Sequence, residues 1–310
     1  DYKHAPGEVV FNALPPLLRK PGSSIPPAPV QDRLTGDGEA RLMQPAGRLK
    51  AQMALLEKIN GGVNTPQQMR AFAASWRKTL ARLVEQGWVQ VEAWQPPVLT
   101  PSPGPELMDE QSRAVEAIKQ SHGGFHCHLL DGITGSGKTE VYLQVLEDLL
   151  SRGGQALLLV PEIGLTPQLV SRFEKRLGIE PVVTHSGLSE GQRLQAWALA
   201  RRGLARLVIV TRSALFLPMP ELQLIILDEE HDASFKQQDG FRYSSRDVAV
   251  KRAADLKVPV VLGTATPSLE TFSNAESNRY TWHRLRQRAT GAAEPRWRVL
   301  DLIQQTMTGG

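Results

Sequence analysis

Short apolar runs alternate with amphipathic stretches over residues 106–275, and this alternation predicts a parallel β-sheet with helices on both faces. The runs are rich in Leu, Ile and Val, and their length suits strands better than helices. They lie at 125–131, 156–160, 181–184, 207–210, 224–228 and 258–262. Because ligands of such sheets bind at the carboxyl ends of the strands, we expect the functional site at that edge.

A different hydrophobic pattern precedes the sheet-forming part of the chain. Apolar residues recur at helical spacing over 49–59 and again over 76–84, as in amphipathic helices. Thr65 followed by Pro66 is typical of the start of a further helix between them. Residues 88–91 then alternate as in a β-strand. Three helices and a terminal ribbon predict a small winged-helix domain.

Basic residues favour a nucleic-acid contact in this first part of the chain. Residues 1–95 carry 12 Lys and Arg against 8 Asp and Glu, whereas the remainder is balanced. The third predicted helix contributes Arg77, Lys78 and Arg82, which suit contacts with phosphates. A winged helix that serves only as a spacer, with solvated basic side chains, fits the same pattern. Both interpretations stay open here.

Proline-rich stretches predict the domain boundaries. Six prolines lie between Pro15 and Pro29, and five lie between Pro96 and Pro105. The predicted units are a remnant of another domain at 1–20, a linker at 21–46, the winged-helix domain at 47–95, a second linker at 96–105, the sheet domain at 106–275 and an incomplete second α/β domain at 276–310. The chain begins with Asp1 rather than Met, so we expect a piece excised from a longer protein.

Composition narrows the class of protein. With 41% hydrophobic and 22% charged residues, the chain resembles ordinary globular proteins,. The single cysteine, Cys127, excludes an internal disulfide and a four-cysteine zinc site, and its apolar surroundings predict burial,. No apolar run approaches the ~20 residues of a membrane span, and no signal peptide is recognisable. We therefore expect a cytoplasmic protein without a membrane partner.

A phosphate-binding loop of the pattern G-x-x-x-x-G-K-[ST] follows the first predicted strand and precedes a predicted helix. It reads Gly132, Ile133, Thr134, Gly135, Ser136, Gly137, Lys138 and Thr139, with Glu140 next. Glycines let the backbone N–H groups approach a nucleoside triphosphate. We expect Lys138 to neutralise the β- and γ-phosphates and Thr139 to coordinate Mg²⁺.

A second motif is the acidic segment Asp228–Glu229–Glu230–His231, which ends another apolar run. We expect Asp228 to hold Mg²⁺ and Glu229 to polarise the attacking water. Taken alone, three consecutive acids also fit a solvated turn. The histidine either relays the nucleotide state to a nucleic-acid site or completes a polar network. Together with the phosphate loop, the segment predicts nucleoside triphosphate hydrolysis, and His231 favours nucleic-acid translocation.

Several segments resemble the motifs of superfamily 2 helicases, and specifically those of the bacterial primosomal helicases. They are 132–140, 160–168, 211–216, 228–231 and 263–267, and the likeness extends to residues 4–11 near the amino terminus. The fold that the resemblance implies is a RecA-like, parallel-sheet helicase lobe 1 of the α/β class, preceded by the winged-helix domain. It also implies that residues 1–20 are a remnant of a 3′-end DNA-binding domain.

The resemblance implies roles for individual residues. Gln111 would read adenine and so favour ATP. His231, Thr264 and Thr266 would couple the nucleotide site to movement of the lobes. The positions expected to touch the DNA backbone are Pro161, Glu162, Thr166, Thr211 and Arg212.

Residues 231–243, here called the aromatic loop, resemble a loop that couples single-stranded DNA to ATP hydrolysis. Phe235, Phe241 and Tyr243 would stack on bases, whereas Lys236 and Arg242 would meet phosphates,. The alternative is that the three aromatic rings anchor the loop on the core.

The resemblance implies an ATP- and Mg²⁺-dependent 3′–5′ DNA helicase that recognises stalled or branched replication forks and initiates primosome assembly. The implied partners are single-stranded and forked DNA, other primosome proteins and single-stranded DNA-binding protein. Zinc is implied only in a second lobe that this sequence does not contain. Because that lobe would also supply arginines to the ATP site, we expect this piece to hydrolyse ATP poorly.

Other functions fit the sequence less well. A fork-reversing or restriction-type translocase is the alternative within the superfamily. A kinase or GTPase is disfavoured, because no guanine-reading or acceptor-binding motif accompanies the phosphate loop. A DNA-binding module without activity is disfavoured because Lys138, Thr139, Asp228 and Glu229 are all intact.

Overall fold

The computed structural model describes residues 4–45, 49–61, 75–96, 98–238 and 240–289. Within these ranges the helices are α1 (Pro6–Ala13), α2 (Gly36–Leu42), α3 (Lys50–Asn60), α4 (Trp76–Glu85), α5 (Asp109–Gln120), α6 (Lys138–Ser151), α7 (Pro167–Leu177), α8 (Glu190–Arg201), α9 (Ser245–Leu256) and α10 (Leu269–Glu276). Short 3-10 helices lie at Pro16–Arg19, Glu162–Gly164, Arg212–Phe216 and Ala233–Phe235. None of the helices in this part of the chain has the length and apolar character that a membrane crossing demands.

The strands are β1 (Val30–Leu34), β2 (Val89–Ala93), β3 (Cys127–Gly132), β4 (Gln155–Leu159), β5 (Val182–Thr184), β6 (Leu207–Val210), β7 (Leu222–Leu227), β8 (Lys236–Gln237), β9 (Tyr243–Ser244), β10 (Val260–Thr264) and β11 (Thr281–Leu285). Seven of them form one sheet in the order β11-β3-β10-β7-β4-β6-β5. Every neighbouring pair in it is parallel. The α/β class with a parallel sheet is therefore confirmed.

Alternate residues of the central strands belong to two separate cores, one on each face of the sheet. In β4, Ala156 and Leu158 pack with α5, α6 and α7, whereas Leu157 and Leu159 pack with α8 and α9. Since successive side chains of a strand point to opposite faces, a strand covered on both faces needs an unbroken apolar run. The predicted strands accordingly lie within two residues of the observed bounds.

The sheet domain extends beyond its predicted end at residue 275, because strand β11 belongs to it. Residues 281–285 pair in parallel with β3 and form the edge of the same sheet, so they do not begin a second α/β domain. Only Leu285 of this strand is buried, because an edge strand packs on fewer neighbours. Its sequence therefore lacks the apolar run that marks the central strands. Residues 290–310 lie outside the described residues.

Residues 30–42, inside the predicted linker, are corrected to a strand and a helix. Strand β1 pairs antiparallel with β2, with Leu34 opposite Val89. Both of these side chains are buried with Leu56 and Leu83 of helices α3 and α4. The polar residues of β1 concealed it from the sequence pattern. The helix predicted after Thr65 lies outside the described residues, so the winged-helix assignment stays a prediction, as do the other domain boundaries.

The amino-terminal segment, residues 4–29, packs against the sheet domain. Leu14 and Leu18 contact the core that α8 and α9 share with the sheet. The ammonium of Lys20 lies 3.2 Å from the Glu190 carboxylate at the start of α8. Nearer the amino terminus, the same segment contacts the aromatic loop, because the His4 ring lies 4.4 Å from the Phe241 ring.

Candidate functional site

The phosphate loop connects β3 to α6 at the carboxyl-terminal edge of the sheet. Strand β3 ends at Gly132 and helix α6 begins at Lys138. Gly135 and Gly137 both have φ of +83°, a left-handed conformation that strains residues with a side chain. A methyl group on Gly137 would also lie 2.3 Å from the Gln111 amide nitrogen. Backbone geometry therefore demands glycine at both positions, and close packing demands it at Gly137 as well.

Lys138 lies at the centre of this edge and joins the two predicted motifs. Its Nζ donates a hydrogen bond of 2.8 Å to the Gly132 carbonyl oxygen and lies 3.7 Å from Glu229 Oε1. The side chain is 9% exposed, so its charge is only partly hydrated. A triphosphate at the loop would therefore meet a cation that the protein has already oriented.

Asp228 follows β7 and is held by a residue that the sequence patterns did not identify. The Tyr142 hydroxyl of α6 donates a 2.9 Å hydrogen bond to Asp228 Oδ1. Burial raises the pKa of the Asp228 carboxyl, and the hydrogen bond from Tyr142 opposes that shift. Burial also raises the pKa of the Tyr142 hydroxyl, which therefore stays a donor. The close fit demands glycine at 263, because a methyl group there would lie 1.6 Å from the hydroxyl oxygen.

Glu229 takes a left-handed backbone conformation with φ of +51°, which is uncommon for a residue with a long side chain. Its carboxylate lies 3.7 Å from Lys138 Nζ and 3.7 Å from His231 Nδ1. This unusual backbone directs the carboxylate of Glu229 towards the phosphate loop. Strained backbone of this kind is found disproportionately at functional sites.

Gln111 supports the phosphate loop from helix α5. Its Nε2 donates to the Ser136 carbonyl oxygen at 2.8 Å, and its Oε1 accepts from the Met108 N–H at 2.9 Å. The side chain is buried. Since the amide is engaged on both sides, this structure shows Gln111 as a brace of the loop, and adenine recognition by it stays a prediction.

The remaining loop residues divide between the surface and the interior. Ile133 and Thr134 are exposed, Thr139 is half-buried and Ser136 is buried. Glu140 is buried as well, with its carboxylate 3.5 Å from Arg176 Nε of helix α7. Glu140 therefore ties α6 to α7 in this structure, and a direct contact with nucleotide stays a prediction.

A magnesium site fits the chemistry of the predicted ligands. Thr139 and Asp228 offer a hydroxyl and a carboxylate oxygen, and Mg²⁺ prefers oxygen ligands, few of them from protein and the rest from phosphates and water. Among the described residues, no group of three or more His, Cys, Asp or Glu side chains is arranged to hold a metal ion. A site with one carboxylate agrees with that finding.

His231 and the segment after β10 are in direct contact. His231 Nδ1 lies 2.7 Å from the Thr264 hydroxyl, and the same hydroxyl accepts from the Thr266 N–H at 3.1 Å. The structure therefore brings together all three residues predicted to couple the nucleotide site to movement. The coupling itself stays a prediction.

The aromatic loop requires a correction. Phe235 is 2% exposed and Tyr243 is 8% exposed, so neither ring is available for stacking on bases in this structure. A 3-10 turn at Ala233–Phe235 directs the Phe235 ring into the core. Tyr243 donates its hydroxyl to the Arg212 carbonyl oxygen at 3.1 Å. The alternative interpretation, that rings anchor the loop, holds for these two.

Phe241 and the basic residues of the loop lie nearer the surface. Phe241 is half-buried, and Lys236 and Arg242 are exposed. The Phe241 ring packs against the His4 ring at 4.4 Å and lies 5.9 Å from the Phe216 ring. Phe216 and His4 were not singled out from the sequence, because nothing in their local pattern reveals a contact with a distant loop.

The other residues expected at DNA are placed unevenly. Glu162 and Thr166 are exposed near the start of α7, where Thr166 Oγ1 accepts from the Leu169 N–H. Pro161 and Thr211 are buried, which argues against direct contact by their side chains. Arg212 Nη1 donates to the carbonyl oxygens of Ser234 and Lys236. Its guanidinium therefore holds the aromatic loop in this structure.

The basic residues of helix α4 are exposed. Arg77, Lys78 and Arg82 all face solvent, and the Arg77 guanidinium lies 5.1 Å from the centre of the Trp76 ring. Their exposure permits a phosphate contact and fits a solvated helix equally well. Both interpretations therefore stay open.

Comparison with known proteins agrees with the motifs. A family model described as DEAD/DEAH box helicase matches residues 108–275, which is more than half of the chain and includes both acidic and phosphate-binding segments. The match ends before β11, although that strand completes the sheet.

Curated relatives extend the similarity to the amino-terminal part. The replication restart protein PriA of Haemophilus influenzae is 40% identical, with 100% of this chain and 43% of that protein covered. PriA of Bacillus subtilis is 44% identical over 66% of this chain and 26% of its own length. PriA of Chlamydia muridarum is 44% identical over 82% of this chain and 35% of its own length. The chain spans less than half the length of each of these relatives.

Solved structures show a more distant likeness. The match to the structure of RecG bound to a three-way DNA junction covers 59% of this chain and 24% of the RecG chain, with a TM-score of 0.45 and 21% identity. The match to the Hef helicase domain of Pyrococcus furiosus covers 58% of this chain and 38% of the Hef chain, with a TM-score of 0.43 and 21% identity.

Proposed function

Since this chain belongs to the DEAD/DEAH box helicase family, we propose that it forms the nucleotide-binding lobe of an ATP-driven DNA translocase that restarts stalled replication. The observation that supports the proposal most strongly is the convergence of the two motifs at one edge of the sheet. Lys138 and Glu229 come within 3.7 Å there, and the neighbouring Asp228 is held by a residue of α6. The similarity to replication restart proteins supports the biological role.

The proposed hydrolysis uses each polar group at the position where charge develops. Lys138 neutralises the terminal phosphates, and the backbone N–H groups of 133–139 surround them. Bound Mg²⁺ would withdraw charge from the phosphate oxygens, and Thr139 and Asp228 would be its protein ligands. Glu229 accepts a proton from the attacking water. Its left-handed backbone directs the accepting carboxylate towards the phosphate loop.

The proposed DNA path crosses the same edge of the sheet. Glu162 and Thr166, which follow β4, and Lys236 and Arg242, which follow β7, are exposed, and these two strands are neighbours in the sheet. Lys and Arg side chains bind the backbone of single strands without regard to sequence. We propose 3′–5′ movement on single-stranded and forked DNA, in company with primosome proteins and single-stranded DNA-binding protein.

Two substitutions test the proposed roles in the complete protein. We expect Lys138→Ala and Glu229→Gln each to lower DNA-stimulated ATP hydrolysis by about 100-fold or more, because each removes a group that acts in the transition state. Fork binding, measured by fluorescence anisotropy, should survive both changes. Exposed residues of the same types supply the controls, as Lys251→Ala and Glu174→Gln should hydrolyse ATP at the original rate. Normal turnover by either site variant would refute the assignment.

A further inference from the structure

Glu230 is the one acid of the Asp228–His231 segment to which the proposed hydrolysis gives no role, yet it is the most deeply buried. It is 3% exposed, and its carboxylate accepts four hydrogen bonds. The donors are the Ser268 N–H at 2.8 Å, the Ser268 hydroxyl at 3.1 Å, the Thr271 hydroxyl at 3.1 Å and Arg246 Nη1 at 3.3 Å. Buried carboxylates are held in this way only where the surrounding structure is built for them.

Arg246 is the cationic partner of Glu230. It is 9% exposed, and its Nη1 also donates to the Ser268 hydroxyl. Further carboxylates lie close by, with Asp247 Oδ1 at 3.2 Å and Glu270 Oε2 at 3.6 Å. The guanidinium thus joins three parts of the chain: the start of α9, the Asp228–His231 segment and the turn before α10.

Arg246 also lies directly beyond the aromatic loop. The two arms of that loop are paired as β8 and β9, with Gln237 opposite Tyr243. Helix α9 begins immediately after β9, and the Ser244 hydroxyl caps it by accepting from the Asp247 N–H at 3.3 Å. Ser244 is therefore shared by the loop and the cap of α9, and Arg246 follows it by two residues.

Glu230 is also next in the chain to residues that we assign to hydrolysis and coupling. It lies between Glu229, whose carboxylate approaches Lys138, and His231, which contacts the Thr264 hydroxyl. The Glu230 backbone N–H is fixed as well, because it donates to the Gly263 carbonyl oxygen at 3.0 Å. A movement of Glu230 therefore changes the position of Glu229 relative to the phosphate loop.

We propose that Arg246 is the positioning residue through which the aromatic loop sets the geometry of Asp228–His231. This inference rests on the proposed function, since the loop is taken to meet DNA and the segment to meet nucleotide. DNA that engages Lys236, Phe241 or Arg242 displaces the loop and the start of α9. Arg246 transmits that displacement to Glu230, and the neighbouring Glu229 moves towards its hydrolytic position.

The test compares Arg246→Gln with the substitution of a half-buried arginine of the same helix. Arg252 donates to the carbonyl oxygens of Leu215 and Leu217, and among the described residues it makes no hydrogen bond to Glu230. Arg252→Gln therefore removes a half-buried guanidinium of α9 without changing a contact of Glu230. Arg246→Lys is the second variant, because it keeps a buried cation and so protects against a failure to fold.

Two quantities are measured in the complete protein for each variant. The first is the ratio of ATP hydrolysis with single-stranded DNA to hydrolysis without it. The second is the affinity for a fluorescent ATP analogue with and without DNA, because coupling between two sites must act in both directions. Thermal melting reports the folded fraction of each variant, and the rates of ATP hydrolysis with and without DNA are normalised to it.

We expect the stimulation ratio to fall at least about fivefold in Arg246→Gln and in Arg246→Lys, within the range of ordinary coupling between sites. The effect of DNA on nucleotide affinity should shrink in parallel, whereas Arg252→Gln should retain the original ratio. A ratio retained by Arg246→Lys, or lost equally in Arg252→Gln, would overturn the role of Arg246. Absence of any DNA stimulation in the unmodified protein would instead refute the proposed function.

Discussion

The carboxylate of Asp228 is held by a buried side chain of helix α6. Tyr142 donates to Oδ1 from a fully buried position on α6. A hydrogen bond to a charged group is stronger than one between neutral groups, and this one also fixes the carboxylate plane. Gly263 makes it possible, since a side chain there would displace the hydroxyl.

Removal of that hydroxyl should separate positioning from folding. We expect Tyr142→Phe to lower the free energy of unfolding by about 2 kcal/mol, because a buried hydrogen bond to a carboxylate is lost. It should also raise the Mg²⁺ concentration needed for half-maximal binding of a fluorescent ATP analogue several-fold, since Asp228 is no longer oriented.

Tyr280→Phe is the matched control for this substitution. Its ring is partly buried against the core that α8 and α9 share with the sheet, on the opposite face from Tyr142, and its hydroxyl interacts with Cys127. That variant should leave the Mg²⁺ dependence of nucleotide binding as it was. If Tyr142→Phe showed the original Mg²⁺ dependence, Tyr142 would have a purely structural role.

Residue patterns predicted which strand ends carry the proposed catalytic groups, but they did not predict the side chains that hold those groups in place. Lys138 and Asp228 lie in fixed patterns at strand ends, so topology alone brings them together. Tyr142 and Glu230 have no such pattern, because a hydroxyl or a carboxylate acquires its role from partners distant in the chain. Phe235 is predicted to stack on DNA bases because its loop resembles an aromatic-rich helicase loop, whereas the turn that contains it directs the ring inward.

At the scale of elements, β11 attaches to the sheet through a pair of stacked histidines. His128 Nδ1 of β3 lies 3.0 Å from His283 Nε2 of β11, and His128 Nε2 lies 3.0 Å from the Ser121 hydroxyl. Burial, assisted by neighbouring histidines, lowers the pKa of His128 to about 3. Burial also lowers the pKa of His283 to about 4. Both side chains are therefore neutral near pH 7.

This pair predicts a loss of stability in mild acid. An unfolded histidine has a pKa of about 6.5, so as the pH falls the unfolded chain binds protons before the folded one does. The free energy of unfolding should therefore decline from about pH 7 towards pH 4, by up to about 1.4 kcal/mol per pH unit for each histidine. Urea unfolding followed at pH 7, 6 and 5 measures this slope.

A His128→Gln variant identifies the source of the slope. Glutamine keeps polar atoms near Ser121 and His283 but does not titrate in this range. Its unfolding free energy should depend less steeply on pH than that of the unmodified protein. An unaltered slope would show that other groups cause the acid sensitivity.

Strand prediction succeeded where burial on both faces leaves a continuous apolar run. Strands β4 and β6 are buried at every position, and their sequences show it. Strands β1 and β11 contain two buried positions and one, respectively. An edge strand and a two-stranded ribbon need few apolar residues, so neither was recognised before the structure placed it.

At the scale of the whole molecule, the amino-terminal segment contacts the loop that we assign to DNA. His4 Nε2 lies 2.8 Å from the Arg242 carbonyl oxygen, and its ring packs on Phe241. His4 Nδ1 lies 3.2 Å from the Glu8 carboxylate of helix α1. The segment therefore restrains the exposed end of the aromatic loop from outside the sheet domain.

Loss of this restraint should be visible to a protease. We expect His4→Ala to raise the rate of tryptic cleavage after Arg242 several-fold, because cleavage requires local opening of the loop. Glu190→Gln is the control, since it weakens only the exposed pair with Lys20 elsewhere on the same segment. Equal cleavage rates in His4→Ala and the unmodified protein would contradict the contact.

The claim on which the account depends is that the phosphate loop and the Asp228–His231 segment form one pocket for nucleotide and Mg²⁺. A crystal structure with a non-hydrolysable ATP analogue and Mn²⁺, located by its anomalous signal, tests it most directly. We predict the terminal phosphate at Lys138 Nζ and the metal between Thr139 and Asp228. A nucleotide bound elsewhere, or a metal remote from both residues, would contradict the account.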